Sequence, residues 1–272
     1  MITIQDYEFL GRLLKESAGM DLGPDKGYLI RSRLEPLARK AGLKDLRELF
    51  DKLQLKKDPL LQDSVVEAML TNESLFFRDA AVFEKLKEII FPKLMERSKT
   101  IRIWSAACST GQEPYSLAMM LASSPWESRG WIFEILATDL SRPALSRATQ
   151  GIYSELEVQR GLNPQLLLNH FDKVPEGWKL KPDISRRVSF RCANLTRLDG
   201  SFGLFDIIFC RNILIYCDPA VKKTIVEKLT SFLRPDGYLV LGASENLLNV
   251  SEAFHWPAQE TGASIYRKKT AN

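Results

Sequence analysis

IRIWSAACSTGQEP, residues Ile101 to Pro114, runs from an apolar strand pattern into a helix start. Ile101–Ala106 reads as a short buried strand and the small residues after it as a tight turn. Gln112-Glu113-Pro114 then opens a helix through Leu117–Leu121, with Pro114 suited to a first turn. The same signals recur outward from this stretch. Trp131–Ala137 (WIFEILA), Val188–Cys192 (VSFRC), Phe205–Cys210 (FDIIFC) and Tyr238–Leu241 (YLVL) read as further buried strands. Helices are expected after Asp139 and from Pro219 to Leu233, where Arg234-Pro235-Asp236-Gly237 turns the chain. Alternating strands and helices predict an α/β fold with a parallel, doubly wound sheet, whose ligands lie beyond the carboxyl ends of the strands. That places a site at Ala106–Glu113, Thr138-Asp139 and Arg211–Tyr216.

Before this region the periodicity is helical. From Ile2 to about Leu70 apolar residues recur at three- and four-residue spacing, as in Phe9, Leu10, Leu13, Leu14 and Leu46, Leu49, Phe50, Leu53. Gly23-Pro24, Gly42 and Asp58-Pro59 divide it into short helices. The expected organisation is a helical domain over residues 1–70, a linker and first helix over 71–98, and the α/β domain over 99–272. The stretch Gly151–Arg187 breaks the alternation and carries Pro164, Pro175-Glu176-Gly177 and Pro182. A structureless loop of that length would be unusual in a compact domain, so a small inserted subdomain is expected at about 152–187.

Composition excludes several classes. In 272 residues, 45% hydrophobic and 26% charged, there is apolar material for a large core and no sign of disorder or a fibrous repeat. A net charge of +4 is too small for whole-surface nucleic-acid binding. No apolar run approaches the ~18–20 residues needed to cross a bilayer, and Met1–Leu10 carries Asp6 and Glu8 where a leader would be basic then apolar. The expectation is a cytoplasmic protein without membrane insertion. Cys108, Cys192, Cys210 and Cys217 form no C-x-x-C pair, and neither His170 nor His255 has a metal-ligand neighbour in helical register, so no metal is expected.

The turn after the first strand lacks G-x-G-x-x-G and the P-loop lysine, which counts against dinucleotides and nucleoside triphosphates. A tight strand-to-helix connection is the competing reading of it. Asp139 ends the second strand, where a carboxylate can accept hydrogen bonds from ribose hydroxyls; capping the helix at Ser141-Arg142-Pro143 is the alternative. A ribose-bearing cofactor without a pyrophosphate fits both observations, and S-adenosylmethionine is the commonest. In Thr71–Asp79 (TNESLFFRD), Asn72 and Ser74 offer neutral hydrogen-bonding groups and Arg78 a cation able to clamp a carboxylate.

Asn72–Arg78 (NESLFFR) and Trp104–Ser116 (WSAACSTGQEPYS) resemble signature blocks of the CheR-type chemoreceptor glutamate methyltransferases. So do Ala137–Ser141 (ATDLS), Cys210–Tyr216 (CRNILIY) and Leu233–Gly237 (LRPDG), in matching order from about Tyr7 to Tyr266. The resemblance implies a Rossmann-like sheet that binds S-adenosylmethionine, with S-adenosylhomocysteine as product. It implies methyl transfer to glutamates on the cytoplasmic methylation helices of chemoreceptors. By motif position Asn72, Ser74, Arg78 and Ala106 line the cofactor site, Glu113 approaches the methionine end and Asp139 the ribose. Asn194-Leu195 lie on the adenine side, Arg211-Asn212 complete the wall, and Tyr216 stands beside the transferring methyl, with Arg78 and Tyr216 as the catalytic pair. Ser74 stands where many members have Thr, Gln112 where many have Glu, and Cys108 where many have Ala or another small residue.

A sulfonium methyl is already electrophilic and a glutamate side chain, with pKa near ~4.3, is already an anion, so the reaction needs no strong base. The near absence of histidine, two in the chain, fits such chemistry. Between Lys26 and Lys57 ten Lys or Arg face four acids, and Arg33 and Arg39 resemble the family's substrate-facing arginines. A solvated face explains the other basic residues equally well, and Pro36 is expected to interrupt their helix. The insert corresponds to a subdomain that in some relatives grips a peptide at the receptor's carboxyl terminus, a role that Arg186 and Arg187 leave open here. Two other readings compete: a methyltransferase of another acceptor, and a non-catalytic cofactor-binding docking module. The first, for a nucleic-acid base, lacks the proline-bearing turn where Asn212–Ile215 stand.

Overall fold

A computed structural model describes residues 2–23, 25–55, 58–257 and 264–270. Contacts divide them into two units, one holding the residues up to Thr71 with Tyr216–Val221, the other Asn72–Ile215 with the residues from Lys222 on. Pro24, Lys56 and Lys57, named above in a boundary and in the basic count, lie outside the described residues. No helix among those described is long and apolar enough to cross a membrane.

The first unit is helical. Helix α1 (Ile4–Ala18) starts at a Thr3–Asp6 capping box and ends at Gly19, whose φ of 70° closes the last turn. Helix α2 is Gly27–Lys40, α3 Leu46–Gln54 and α4 Pro59–Met69. Asp45 and Asp58 cap α3 and α4 through their side chains. Leu10, Leu14, Ile30, Leu34, Leu49, Phe50, Val65 and Met69 make the core of this unit. Contrary to the expectation from Pro36, α2 runs unbroken through it. Its buried stripe of Ile30, Leu34 and Ala38 continues on both sides of the proline, and that packing offsets the missing N–H bond, a cost of about 3 kcal/mol in an unsupported helix.

In the second unit the linker leads into α5 (Ala80–Lys85), a π-helical turn at Leu86–Ile90 and α6 (Phe91–Met95). Strand β1 is Thr100–Ala106, followed by α7 (Gln112–Ala122), β2 (Ile132–Asp139) and α8 (Arg142–Gln150). The insert contributes β3 (Ile152–Tyr153), α9 (Glu155–Gln159), α10 (Pro164–His170), β4 (Phe171–Val174), β5 (Gly177–Leu180) and α11 (Pro182–Ser185). There follow β6 (Val188–Cys192), β7 (Phe205–Cys210), α12 (Pro219–Phe232), β8 (Leu233–Leu241), β9 (Phe254–His255) and β10 (Ile265–Lys268).

The large sheet runs β6-β2-β1-β7-β8-β10-β9. The pairs from β6 to β8 are parallel, as the alternation of strand and helix requires. The order reverses beside β1, which sets the crevice at the carboxyl ends of β1 and β7. All six residues of β7 are buried, apolar from Ile207 to Cys210, and the one acid among them, Asp206, accepts from the Arg102 N–H at 2.8 Å. The sheet is mixed, not purely parallel, because β10 pairs antiparallel with β8 and β9. Strand β8 also begins earlier than Tyr238. Leu233 pairs with Phe205 and Tyr238 with Ile207, so Arg234–Gly237 forms a bulge inside the strand, with Asp236 at φ 60°. Trp104 stacks on Phe202 beside Phe205 and Phe232, on the face opposite the Phe91–Phe133 packing.

Strands β3, β5 and β4 make a separate antiparallel sheet. Tyr153 from β3 and Phe171 from β4 pack on Phe76 of the linker, with ring centroids 4.9 and 5.7 Å away. Gly177 has φ 141° and lies so close to the Tyr153 carbonyl that a Cβ would come within 2.2 Å of its oxygen, hence the glycine at this hairpin.

Candidate active site

After Ala106 the chain turns sharply, with left-handed backbone at Ala107 (φ 60°), Ser109 (φ 53°) and Gly111 (φ 93°). Only glycine fits at 111, where a Cβ would stand 2.9 Å from the Ala148 Cβ. The Cys108 N–H donates to the Thr138 carbonyl at 2.8 Å, tying the turn to β2. Asp139 binds this turn to the strand end, accepting from the Ser109 N–H at 2.7 Å and the Ser141 N–H at 2.8 Å. Burial raises its pKa, and the N–H groups of Ser141, Ser109 and Leu140 hold the rise back. Ser141, not Asp139, caps α8, since its hydroxyl accepts from the Ala144 N–H at 3.0 Å. The Cys108 thiol pKa is pushed well up by burial and then by the charges of Asp139 and Glu113, so it stays protonated.

The linker reaches this turn from the other side. Ser109 Oγ donates to the Asn72 carbonyl at 2.8 Å, and Asn72 Nδ2 lies 3.5 Å from Ser141 Oγ. Phe76 is fully buried, and the Phe77 N–H donates to Ser116 Oγ at 2.9 Å. Ser74 and Arg78 are half-buried, and the Arg78 guanidinium has no hydrogen-bond partner among the described residues.

Glu113, in the first turn of α7, accepts from Ser105 Oγ at 2.7 Å and from Arg211 Nη1 at 3.2 Å. The Arg211 side chain is only 2% exposed and also donates through Nη2 to the Arg78 carbonyl at 2.8 Å and to Asp79. Its Nε is buried without a partner. Asn212 follows at φ 60°, its N–H donating to Glu245 Oε2 at 2.8 Å. On the far side of the sheet's carboxyl edge, Asn194 folds back to accept from the Thr196 N–H and hydroxyl at 2.9 and 2.8 Å. It lines, with Cys192, Ala193 and Arg197, a cavity of about 430 Å³. Leu195 is buried beside it.

Residues 72–262 match the family described as "CheR methyltransferase, SAM binding domain", and residues 5–70 its "CheR methyltransferase, all-alpha domain". The chain belongs to the CheR methyltransferase family. Over 270 residues it is 43% identical to chemotaxis protein methyltransferase 1 of Pseudomonas aeruginosa, covering 97% of this chain and 98% of that one. It is 41% identical to chemotaxis protein methyltransferase Cher2 of Pseudomonas putida, over the same shares of both chains. With a Vibrio anguillarum chemotaxis protein methyltransferase the identity is 40%, covering 98% of this chain and 99% of the other. S-adenosylmethionine is accordingly the cofactor of the family's domain.

The residues present fit that cofactor. The methionine carboxylate of S-adenosylmethionine calls for a cation, and its ribose hydroxyls and amino group for hydrogen-bond acceptors. The structure offers the Arg78 guanidinium, without a hydrogen-bond partner among the described residues, the buried Asp139 carboxylate and the partly buried Glu113 carboxylate. Hydrogen bonds join Asn72 through Ser109 to Asp139, and Arg78 and Glu113 through Arg211, while Ala106 ends β1 and Asn212 is held by Glu245. Arg33, Arg39 and Tyr216 fall in the helical unit. Arg33 spends its guanidinium on the Met69 and Leu70 carbonyls and Thr71 Oγ1, with the Leu70 bond at 2.9 Å, and so closes the end of α4. Arg39 is exposed on α2, and Tyr216 is exposed with its carbonyl accepting from the Asp21 N–H at 2.7 Å. Sequence reasoning missed Ser109, Asp79 and Glu245. Ser109 and Glu245 act through bonds to main-chain atoms, while Asp79, expected to cap the helix that follows it, makes no side-chain cap bond and holds Arg211 instead.

Proposed function

We propose that this CheR-family enzyme transfers a methyl group from S-adenosylmethionine to glutamate side chains of bacterial chemoreceptors, yielding glutamate methyl esters and S-adenosylhomocysteine. The observation that supports this most is the family match, which runs through both the all-alpha region and the SAM-binding domain. Bound S-adenosylmethionine supplies the sulfonium methyl. The protein's own work is orientation, because the acceptor is already an anion and no base is required. In this reading Arg78 clamps the cofactor's carboxylate, Glu113 meets its amino group and Asp139 its ribose hydroxyls. Asn72, Ser74, Ala106, Asn194, Leu195, Arg211 and Asn212 complete the walls, and Tyr216 orients the transferring methyl or the incoming carboxylate.

Residues 1–70 serve as the recognition domain, 71–98 as linker and first helix contributing to the cofactor site, and 99–272 as the methyltransferase domain. The partners are the acidic methylation helices of the receptors. Arg39, exposed, is suited to meet an acidic helix; Arg33 would have to leave its carbonyl partners to do so. The insert at about 152–187 is a second contact surface, where a receptor carboxyl-terminal peptide could add to a sheet edge. Incubation with methyl-labelled S-adenosylmethionine and receptor cytoplasmic fragments tests the whole reading. Alkali-labile label on receptor glutamates is the expected product, and label that is absent or alkali-stable would overturn it.

A further inference from the structure

Glu245 lies outside every motif discussed so far, yet it is 4% exposed and carries a carboxylate into the interior just past the end of β8. Four main-chain N–H groups converge on it. Oε2 accepts from Gly242 at 2.7 Å and Asn212 at 2.8 Å, while Oε1 accepts from Ile213 at 2.9 Å and Ile215 at 3.3 Å. No side-chain cation pairs with it among the described residues. Burying an isolated carboxylate is costly, and only such a ring of donors makes the position tolerable.

We infer that Glu245 is a positioning residue for methyl transfer, whose carboxylate moulds the Arg211–Ile215 loop into the shape that presents Arg211 and Asn212 to the cofactor. Three of its four donors belong to that loop, so the loop cannot relax without stranding the charge. The left-handed backbone at Asn212, unfavourable for a side-chain-bearing residue, is what aims the Asn212 and Ile213 N–H groups at opposite oxygens of one carboxylate. Gly242 supports the same arrangement. A Cβ there would stand 2.8 Å from Glu245 Oε2 and 2.7 Å from Asn212 Nδ2, so any larger residue would push the carboxylate and the loop apart. Immediately upstream, Arg211 holds Glu113 and the Arg78 carbonyl. Loop shape is thereby transmitted to three cofactor-site residues that Glu245 does not touch.

The inference rests on the proposed cofactor contacts of Arg211 and Asn212, and the test separates the two. The affinity of the full chain for S-adenosylhomocysteine is measured by calorimetry, alongside thermal unfolding, for wild type, Glu245→Gln, Gly242→Ala and Leu229→Ala. A glutamine retains one acceptor oxygen but turns an N–H₂ toward two donors. Leu229, fully buried in α12 and a partner in none of the loop's hydrogen bonds, supplies a destabilised control. The expected result is Kd raised about tenfold or more in both loop variants and within about twofold of wild type in Leu229→Ala at similar loss of Tm. Should Glu245→Gln fail to fold, Gly242→Ala decides alone. Wild-type binding with an unchanged Kd in the folded loop variants overturns the inference; no binding by wild type overturns the cofactor assignment beneath it.

Discussion

Arg211 Nη1 lies 3.2 Å from Glu113 Oε2, joining the loop after β7 to the first turn of α7 across the crest of the sheet. With the arginine side chain 2% exposed and the glutamate 13%, this is a buried ion pair. Removing one partner leaves an uncompensated charge, which costs about 3–5 kcal/mol. Arg211→Met should therefore lower denaturation stability by that order and abolish S-adenosylhomocysteine binding. Glu113→Gln leaves Arg211 paired with Asp79 and keeps an acceptor for Ser105 or Arg211, so it should cost less than half as much in the same denaturant titration.

Arg78 offers a sharper separation of folding from function. Its guanidinium has no partner among the described residues, so Arg78→Ala should leave Tm near wild type while weakening cofactor binding about tenfold or more. Tyr216→Phe should lower the methylation rate with the fold intact. Wild-type methylation by both variants would remove them from the chemistry.

Asp139 gives opposite pH signatures for stability and binding. Its native pKa is raised by burial above the ordinary 3.8. As pH falls from that raised value toward 3.8, the folded carboxyl takes up a proton before the unfolded one does, so this group's contribution to stability rises with acidification. Protonation also removes acceptor capacity, so affinity for S-adenosylhomocysteine should fall over the same window. Across that range wild type should gain stability relative to Asp139→Asn in thermal unfolding as pH falls, and calorimetry should show the accompanying loss of affinity in wild type beyond any seen in the variant.

The two arginines of α2 should part company. Arg33→Ala forfeits charged bonds to the Met69 and Leu70 carbonyls and should destabilise the helical unit by about 1–3 kcal/mol. Arg39→Glu, on an exposed position, should change stability by no more than about 0.5 kcal/mol. It should instead depress receptor methylation at low salt, with the defect fading as salt shortens the Debye length to about 10 Å at 0.1 M. Equal methylation of receptor by Arg39→Glu and wild type at low salt would take Arg39 off the interface.

The parallel core of the fold was legible because each central strand is a short, mostly apolar stretch bounded by turn residues, and β7 is buried on both faces. Strands β9 and β10 were not, since two- and four-residue strands carry no periodicity. The Arg234–Gly237 turn was visible, but not that the strand resumes on both sides of it. Pro36 misled because local propensity says nothing of the Ile30–Leu34–Ala38 stripe that packs the helix down. In the candidate site, Asp139 was conspicuous as an acid ending a strand. Glu245 was invisible, because its partners are main-chain N–H groups up to 33 positions away, aimed by the backbone at Asn212.

The Tyr153 hydroxyl donates to the Thr110 carbonyl at 2.8 Å, so the first strand of the inserted sheet is stitched to the turn that follows β1. Anyone exchanging this insert between relatives is therefore not swapping an independent cassette. A graft that omits the tyrosine, or shifts it by one place so that it points to the sheet's other face, would loosen the crest of the enzyme while appearing to alter only its periphery.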